Sequence, residues 1–217
     1  MIVPFSHKLK ETRFLNKAVP ISIGVLLFSA ISFHFFDIPI AAYFKTIPSK
    51  LRIVAQFITD LIDPWPGTAV WAVLYFFFYF FSKRKSLANR FLLISVSVST
   101  ANISIELLKW IFGRTRPELL WSQNLYGFQF FASHDADFSF PSGHSCTIGA
   151  IMGALACFYP KYTYLFLAIA FIMAFSRVIL SFHYLSDILV GMTIGLIVSQ
   201  WVYRTMKIGT VNFKTNK

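Results

Sequence analysis

The sequence predicts an all-α, polytopic membrane protein: a six-transmembrane-helix bundle with one further helix lying in the interface. Three observations predict it. Of the 217 residues 56% are apolar and only 13% charged, with a mean hydropathy of +0.62, against roughly 45–50% and 25% in soluble domains. Apolar runs approaching the length of a bilayer crossing recur six times. The Lys and Arg residues that separate those runs alternate in density from one loop to the next.

The runs fall near Ala18–Phe36, Pro66–Phe81, Phe91–Phe112, Ser145–Tyr159, Tyr162–Leu180 and Leu185–Tyr203. A spanning helix needs about 20 residues, so the second and fourth require neighbouring loop residues to extend them. The first follows basic residues, as a secretion signal does, but ends in Phe33-His34-Phe35-Phe36-Asp37 without a small-residue cleavage site. It reads as a retained anchor. Between the first two runs, within Ala41–Asp63, the residues Leu51, Val54, Phe57, Ile58 and Leu61 recur at helical spacing, which predicts the interfacial helix. The segment Glu118–Phe140 is the longest outer loop and is rich in aromatics, from Trp121 to Phe131. It serves either as interfacial anchoring or as a lid over a site. With no internal repeat and no low-complexity tract, residues 1–217 form a single domain whose motifs lie between 109 and 187.

The net charge of +11 raises nucleic acid as a partner, but its distribution argues against it. Lys and Arg cluster beside apolar runs, at Lys8–Lys17, at Lys83-Arg84-Lys85 with Arg90, and from Arg204 to Lys217. Counted by loop, thirteen lie on the side of the termini and five on the other; Lys109 and Arg177 fall inside apolar runs. The positive-inside rule then puts both termini in the cytoplasm.

That topology gathers the unusual polar residues. The third run ends outside with Lys109, followed by Arg114 and Arg116. The fourth starts there with Ser142, Gly143 and His144. The fifth returns with Arg177 in its last turns, and His183 and Asp187 bracket the start of the sixth. A charged side chain in a spanning helix costs roughly 2.5–3.5 kcal/mol at the bilayer centre, so this gathering requires a compensating partner. An active site at the outer face supplies one. Glu106, three residues before Lys109, either pairs with it or takes part in the chemistry.

Each block suits an anion. Pro141-Ser142-Gly143-His144 opens a helix, where unpaired N–H groups and the positive dipole end attract an oxyanion; alone it also reads as an ordinary Ser cap. His183 and Asp187, four apart, share a helix face, so a carboxylate can orient one imidazole and leave its other nitrogen nucleophilic. Alone, that pair also reads as a simple polar contact. His144 can serve as proton donor to a leaving oxygen. His134 with Asp135 and Asp137 reads as solvated loop, and Cys146 and Cys157 as small packing residues. No Cys/His cluster has metal-ligand spacing, so neither metal nor cofactor is expected.

In this order the blocks resemble the type 2 phosphatidic acid phosphatase (PAP2) superfamily, whose pattern is Lys-x6-Arg-Pro, Pro-Ser-Gly-His and Ser-Arg-x5-His-x3-Asp. Here it falls on Lys109, Arg116 and Pro117; on Pro141–His144; and on Ser176, Arg177, His183 and Asp187. The resemblance implies that His183 attacks phosphorus to form a phosphohistidine, oriented by Asp187, and that His144 protonates the leaving group. Lys109, Arg116, Ser142, Gly143 and Arg177 would bind phosphate oxygens, with no metal. It implies a lipid phosphate phosphatase in the bacterial cytoplasmic (inner) membrane, acting on undecaprenyl diphosphate, phosphatidylglycerophosphate, a lipid A phosphate or phosphatidate. No obligate protein partner is implied. A phosphotransferase of the same family passing the phosphoryl group to another lipid or alcohol is the alternative. Vanadium haloperoxidases share the blocks but are expected to be soluble, and a transport path would need polar groups through the whole bilayer.

Overall fold

In lipid a backbone has no water to bond, and the α-helix satisfies every N–H and C=O within its own segment. The computed structural model describes residues 5–61, 64–131 and 134–208, with side chains for 20–61, 68–131 and 134–206. Among the described residues the chain is all-helical, and the β-type pairing is one isolated bridge between Arg114 and Phe128. The basic tail beyond residue 208 lies outside the described residues.

Helix α1 (Phe5–Phe35) carries Pro20 inside it and breaks at Phe36 into α2 (Asp37–Lys45), with a bend of 62° between the two. Pro48 starts α3 (Ser49–Asp60), which packs on the later helix Thr163–Ile179, buries Ala55 and Thr59 and turns Leu51, Val54 and Phe57 outward. The expected interfacial segment is therefore two helices joined by a short turn. Helix α4 (Pro64–Phe76) continues into a π-helical turn, Phe77–Phe81. Helix α5 (Lys85–Phe112) ends where Gly113 takes the left-handed conformation at φ 51°, which glycine adopts without steric cost. The segment Glu118–Phe140 is partly helical. It holds α6 (Pro117–Gln123) and a 3₁₀ turn at Asp135–Asp137. Helices α7 (Gly143–Phe158), α8 (Thr163–Ile179) and α9 (Leu185–Ile208) complete the bundle.

Three helical stretches, Lys85–Phe112, Pro160–Ile179 and Leu185–Met206, are each long and apolar enough to cross a membrane, and the bent α1–α2 pair makes a fourth. Thr68–Phe81 and Gly143–Phe158 are apolar but shorter. Large apolar side chains such as Leu27, Phe81, Ile103 and Tyr164 lie exposed on the bundle's outer surface, an apolar expanse that a protein in water would cover.

Helix α7 is the centre, packed against α5, α8 and α9. It runs parallel to α9 along a seam of small residues: Gly149 and Gly153 on α7, Gly191 and Gly195 on α9. A Cβ on Gly195 would stand 2.1 Å from the Cys146 carbonyl oxygen, and one on Gly149 2.4 Å from that of Met192. Backbone thus lies against backbone, as small-xxx-small motifs allow in membranes. Helix α5 runs antiparallel to α7. Thr147 donates to Asn102 Oδ1 at 2.8 Å near the middle, and Arg90 donates to the Tyr159 hydroxyl at 2.5 Å at the far end. These registers bring the end of α5, the starts of α7 and α9 and the end of α8 to one end of the bundle.

Candidate active site

Lys109 sits in the last turn of α5. Its Nζ bonds Glu106 Oε1 at 2.8 Å and lies 3.4 Å from where a Cβ on Gly143 would be. The glycine therefore lets the ammonium approach the start of α7. Ser142 caps that helix, its Oγ accepting from the Ser145 hydroxyl at 3.0 Å, and its own N–H donates to the Asp187 carbonyl at 3.2 Å. A Cβ on Gly191 would meet the Ser142 carbonyl at 2.4 Å. The Pro-Ser-Gly-His turn is thus clamped onto the first turn of α9.

Arg177 ends α8, nearly buried. Its Nη1 donates to Thr59 Oγ1 at 3.2 Å, and its guanidinium stacks 4.4 Å over the Phe182 ring. The turn that follows folds back, Phe182 N donating to the Arg177 carbonyl at 3.0 Å, and delivers His183 to the site. Arg116 stands at the start of α6, tied through its N–H to the Ala136 carbonyl, with Nε buried and without a hydrogen-bond partner among the described residues. His144 lies within Coulombic reach of Arg177, His183, Lys109 and Arg116, and His183 within reach of Arg177, Asp187 and Arg116. The two imidazoles and three cations expected from the motifs therefore share one site.

Two side chains are held differently from expectation. His183 Nδ1 lies 2.8 Å from the Ser139 carbonyl oxygen and 3.8 Å from Asp187 Oδ2. A carbonyl only accepts, so Nδ1 carries the proton and Nε2 keeps its lone pair. The backbone of Ser139 orients the ring, and Asp187 acts on it through charge. Asp187 itself accepts from Ser139 Oγ at 2.7 Å, from Tyr184 N at 2.8 Å and from Arg114 Nη1 at 2.5 Å. Burial, with the charge of Arg177 beside it, holds the His183 imidazole well below its ordinary pKa, at about 4, against the opposing pull of Asp187. The ring is neutral at pH 7.

Arg114, grouped by sequence with the other outer cations, is wholly buried and paired with Asp37 and Asp187. The aromatic loop serves it: Tyr126 and Phe128 stack on Phe33, and these rings surround the guanidinium. Sequence reasoning missed Asp37, Thr59 and Ser139. Asp37, an acid inside apolar sequence, carried the signal of its own desolvation cost; Ser139 orients the ring through its main-chain carbonyl, which has no residue signature, and holds Asp187 through its hydroxyl. Beside His144 a small, half-open cleft is lined by Ile58, Thr59, Ile148 and Met173. Among the described residues no cluster of His, Cys, Asp and Glu is arranged to hold a metal ion.

Three cations and two imidazoles gathered at one end of an apolar helical bundle define the class: a helical membrane protein with a cationic, histidine-bearing site. The sequence profile of the PAP2 superfamily matches residues 90–208, and the chain belongs to that superfamily. It is 29% identical over 180 residues to the lipid A 1-phosphatase of Rhizobium johnstonii, covering 76% of this chain and 71% of that protein. It is likewise 29% identical over 181 residues to the lipid A 1-phosphatase of Rhizobium etli, covering 76% and 75%. Among solved structures it resembles the transmembrane PAP2 type phosphatidylglycerolphosphate phosphatase of Bacillus subtilis, with a TM-score of 0.59 and 21% identity over 89% of this chain and 98% of that one.

Proposed function

We propose that the protein is a lipid phosphatase, with a phosphate on lipid A as its favoured substrate. The observation that carries this is the meeting of a neutral, Nδ1-protonated His183 with His144 and the cations Lys109, Arg116 and Arg177. His183 Nε2 attacks phosphorus, and an N–P bond forms as the P–O bond to the lipid breaks. His144 gives its proton to the departing oxygen, and the phosphohistidine is then hydrolysed with His144 accepting a proton from water. The cations, the Ser142 hydroxyl and the N–H groups at the start of α7 stabilise the charge on the phosphoryl oxygens. Arg116 Nε, buried without a partner, is a donor suited to one of them. Lipid A is favoured because two relatives of similar length carry that activity in their names.

In this reading the bundle crosses the bacterial inner membrane six times, α4 and α7 counted, with α3 in the interface, both termini cytoplasmic and the site at the outer face. The Arg90–Tyr159 contact at the opposite end of α7 from His144 supports that orientation, because basic residues concentrate there. The test is phosphate release by the purified protein from lipid A, undecaprenyl diphosphate, phosphatidylglycerophosphate and phosphatidate, with and without EDTA. Lipid A is expected to be hydrolysed fastest and the chelator to have no effect. Release from none of the four would reject the reading, and His183→Ala, expected to lower turnover by about 10⁴-fold or more, is the control.

A further inference from the structure

Asp37 lies outside the stretch that matches the family, at the break between α1 and α2, yet its carboxylate is built into the charge network behind the site. It accepts from Arg114 Nη2 at 2.8 Å, Ser32 Oγ at 2.8 Å, Ser186 N at 3.0 Å and the Ser186 hydroxyl. Arg114 in turn holds Asp187 through Nη1 and accepts no solvent: Tyr184 lies 4.2 Å and Phe33 4.8 Å from the centre of its guanidinium. Asp37, Arg114 and Asp187 are all essentially fully buried. One cation therefore faces two carboxylates, and the cluster carries a net negative charge.

A clamp that only fastened the N-terminal helices to the bundle would be complete with one carboxylate per guanidinium. The second has an electrostatic consequence. Asp37 takes up part of the positive charge of Arg114, so Asp187 is incompletely neutralised and its field still reaches His183, 3.8 Å away. When Nε2 bonds to phosphorus, positive charge develops on the imidazole, and a negative cluster behind the ring stabilises it at that moment. We propose that Asp37 and Arg114 are positioning residues for phosphoryl transfer, acting on His183 through Asp187. The proposal rests on the lipid phosphatase reading and extends its machinery into the N-terminal helices.

The test compares Asp37→Asn, Asp37→Glu, Arg114→Gln and the double variant Asp37→Asn/Arg114→Gln, with active sites counted by the stoichiometry of bound vanadate, a phosphate analogue. Asp37→Asn removes one charge at constant shape and leaves the phosphate-binding cations untouched. Its kcat per vanadate-binding site should fall about tenfold or more, the range seen when the partner behind a functional histidine is removed. Its KM should stay the same or decrease, since a negative charge has left the neighbourhood of the phosphate. Asp37→Glu should recover part of the loss. Arg114→Gln strands two buried carboxylates and should lose most vanadate-binding sites, and the double variant should regain some of them. Wild-type kcat per site in Asp37→Asn, or a loss confined to the number of sites, would overturn the positioning role while leaving the phosphatase reading intact. Absence of hydrolysis by the wild-type protein would remove both.

Discussion

His183 donates from Nδ1 to the Ser139 carbonyl, and that one bond leaves Nε2 with its lone pair free, as the proposed attack on phosphorus requires. The ring also has to be uncharged, and burial ensures it by holding the pKa near 4. The sign follows: the reactive form is the neutral one, so the acid limb of kcat/KM, as far as His183 sets it, lies well below the ordinary histidine value of about 6.5. Activity against a soluble phosphate ester should persist at pH 5.5, where a solvated histidine is mostly protonated; an acid limb centred near 6.5 would contradict this. The same shift acts on stability. The unfolded chain takes up the proton from about 6.5 downward while the native ring resists until about 4, so native stability declines across that window on acidification. The residues that gather at the candidate site were readable from sequence because polar groups in apolar helices are costly and conspicuous. Ser139 was not, since a main-chain carbonyl has no residue signature, and Asp187 at i+4 offered a partner whose spacing was right and whose distance is not.

The elements that place these residues owe their register to glycine. Gly191 faces the Ser142 carbonyl, while Gly153 faces the Ser199 hydroxyl and Leu196 deeper in the bundle. Gly191→Ala must displace the backbone at Ser142, in the turn proposed to bind phosphate, and should cut turnover strongly. Gly153→Ala meets mostly side chain and should cost about 1–3 kcal/mol of stability with turnover per folded molecule preserved. Thermal unfolding and kcat measured on both variants check the contrast; equal loss of turnover in the two would refute it. The spacing of these glycines, four apart on each helix, was visible in the sequence. Which helix faced which was not, because pairing is a property of the bundle. The end of the first apolar run at Phe36 was legible, but the 62° bend into α2 was not, because Asp37 pairs with Arg114 in another segment. The aromatic loop likewise read as interface or lid, whereas its inward rings Tyr126 and Phe128 find their role only once Arg114 lies between them.

For the molecule as a whole, charge distribution predicted an orientation that the bundle makes testable. Ser122 in α6 and Lys161 in the turn before α8 are both exposed, near the site end and the opposite end respectively. In intact cells a membrane-impermeant maleimide should label Ser122→Cys and leave Lys161→Cys unlabelled until the membrane is opened; the reverse pattern would invert the proposed topology. The all-helical class was legible because apolar runs near the length of a bilayer crossing suit helices, whose backbone bonds close within the segment. The lengths of the spans were less so, since α7 can be short when longer helices surround it.

The seam between α7 and α9 has one more implication. The Ser-Gly-His turn and the turn bearing Asp187 are the leading ends of two rods welded main chain to main chain, so they shift together when the surrounding lipid squeezes or stretches the protein. Thin and thick bilayers should then alter how α1 and α8 tilt, while the spacing between these two turns keeps its width.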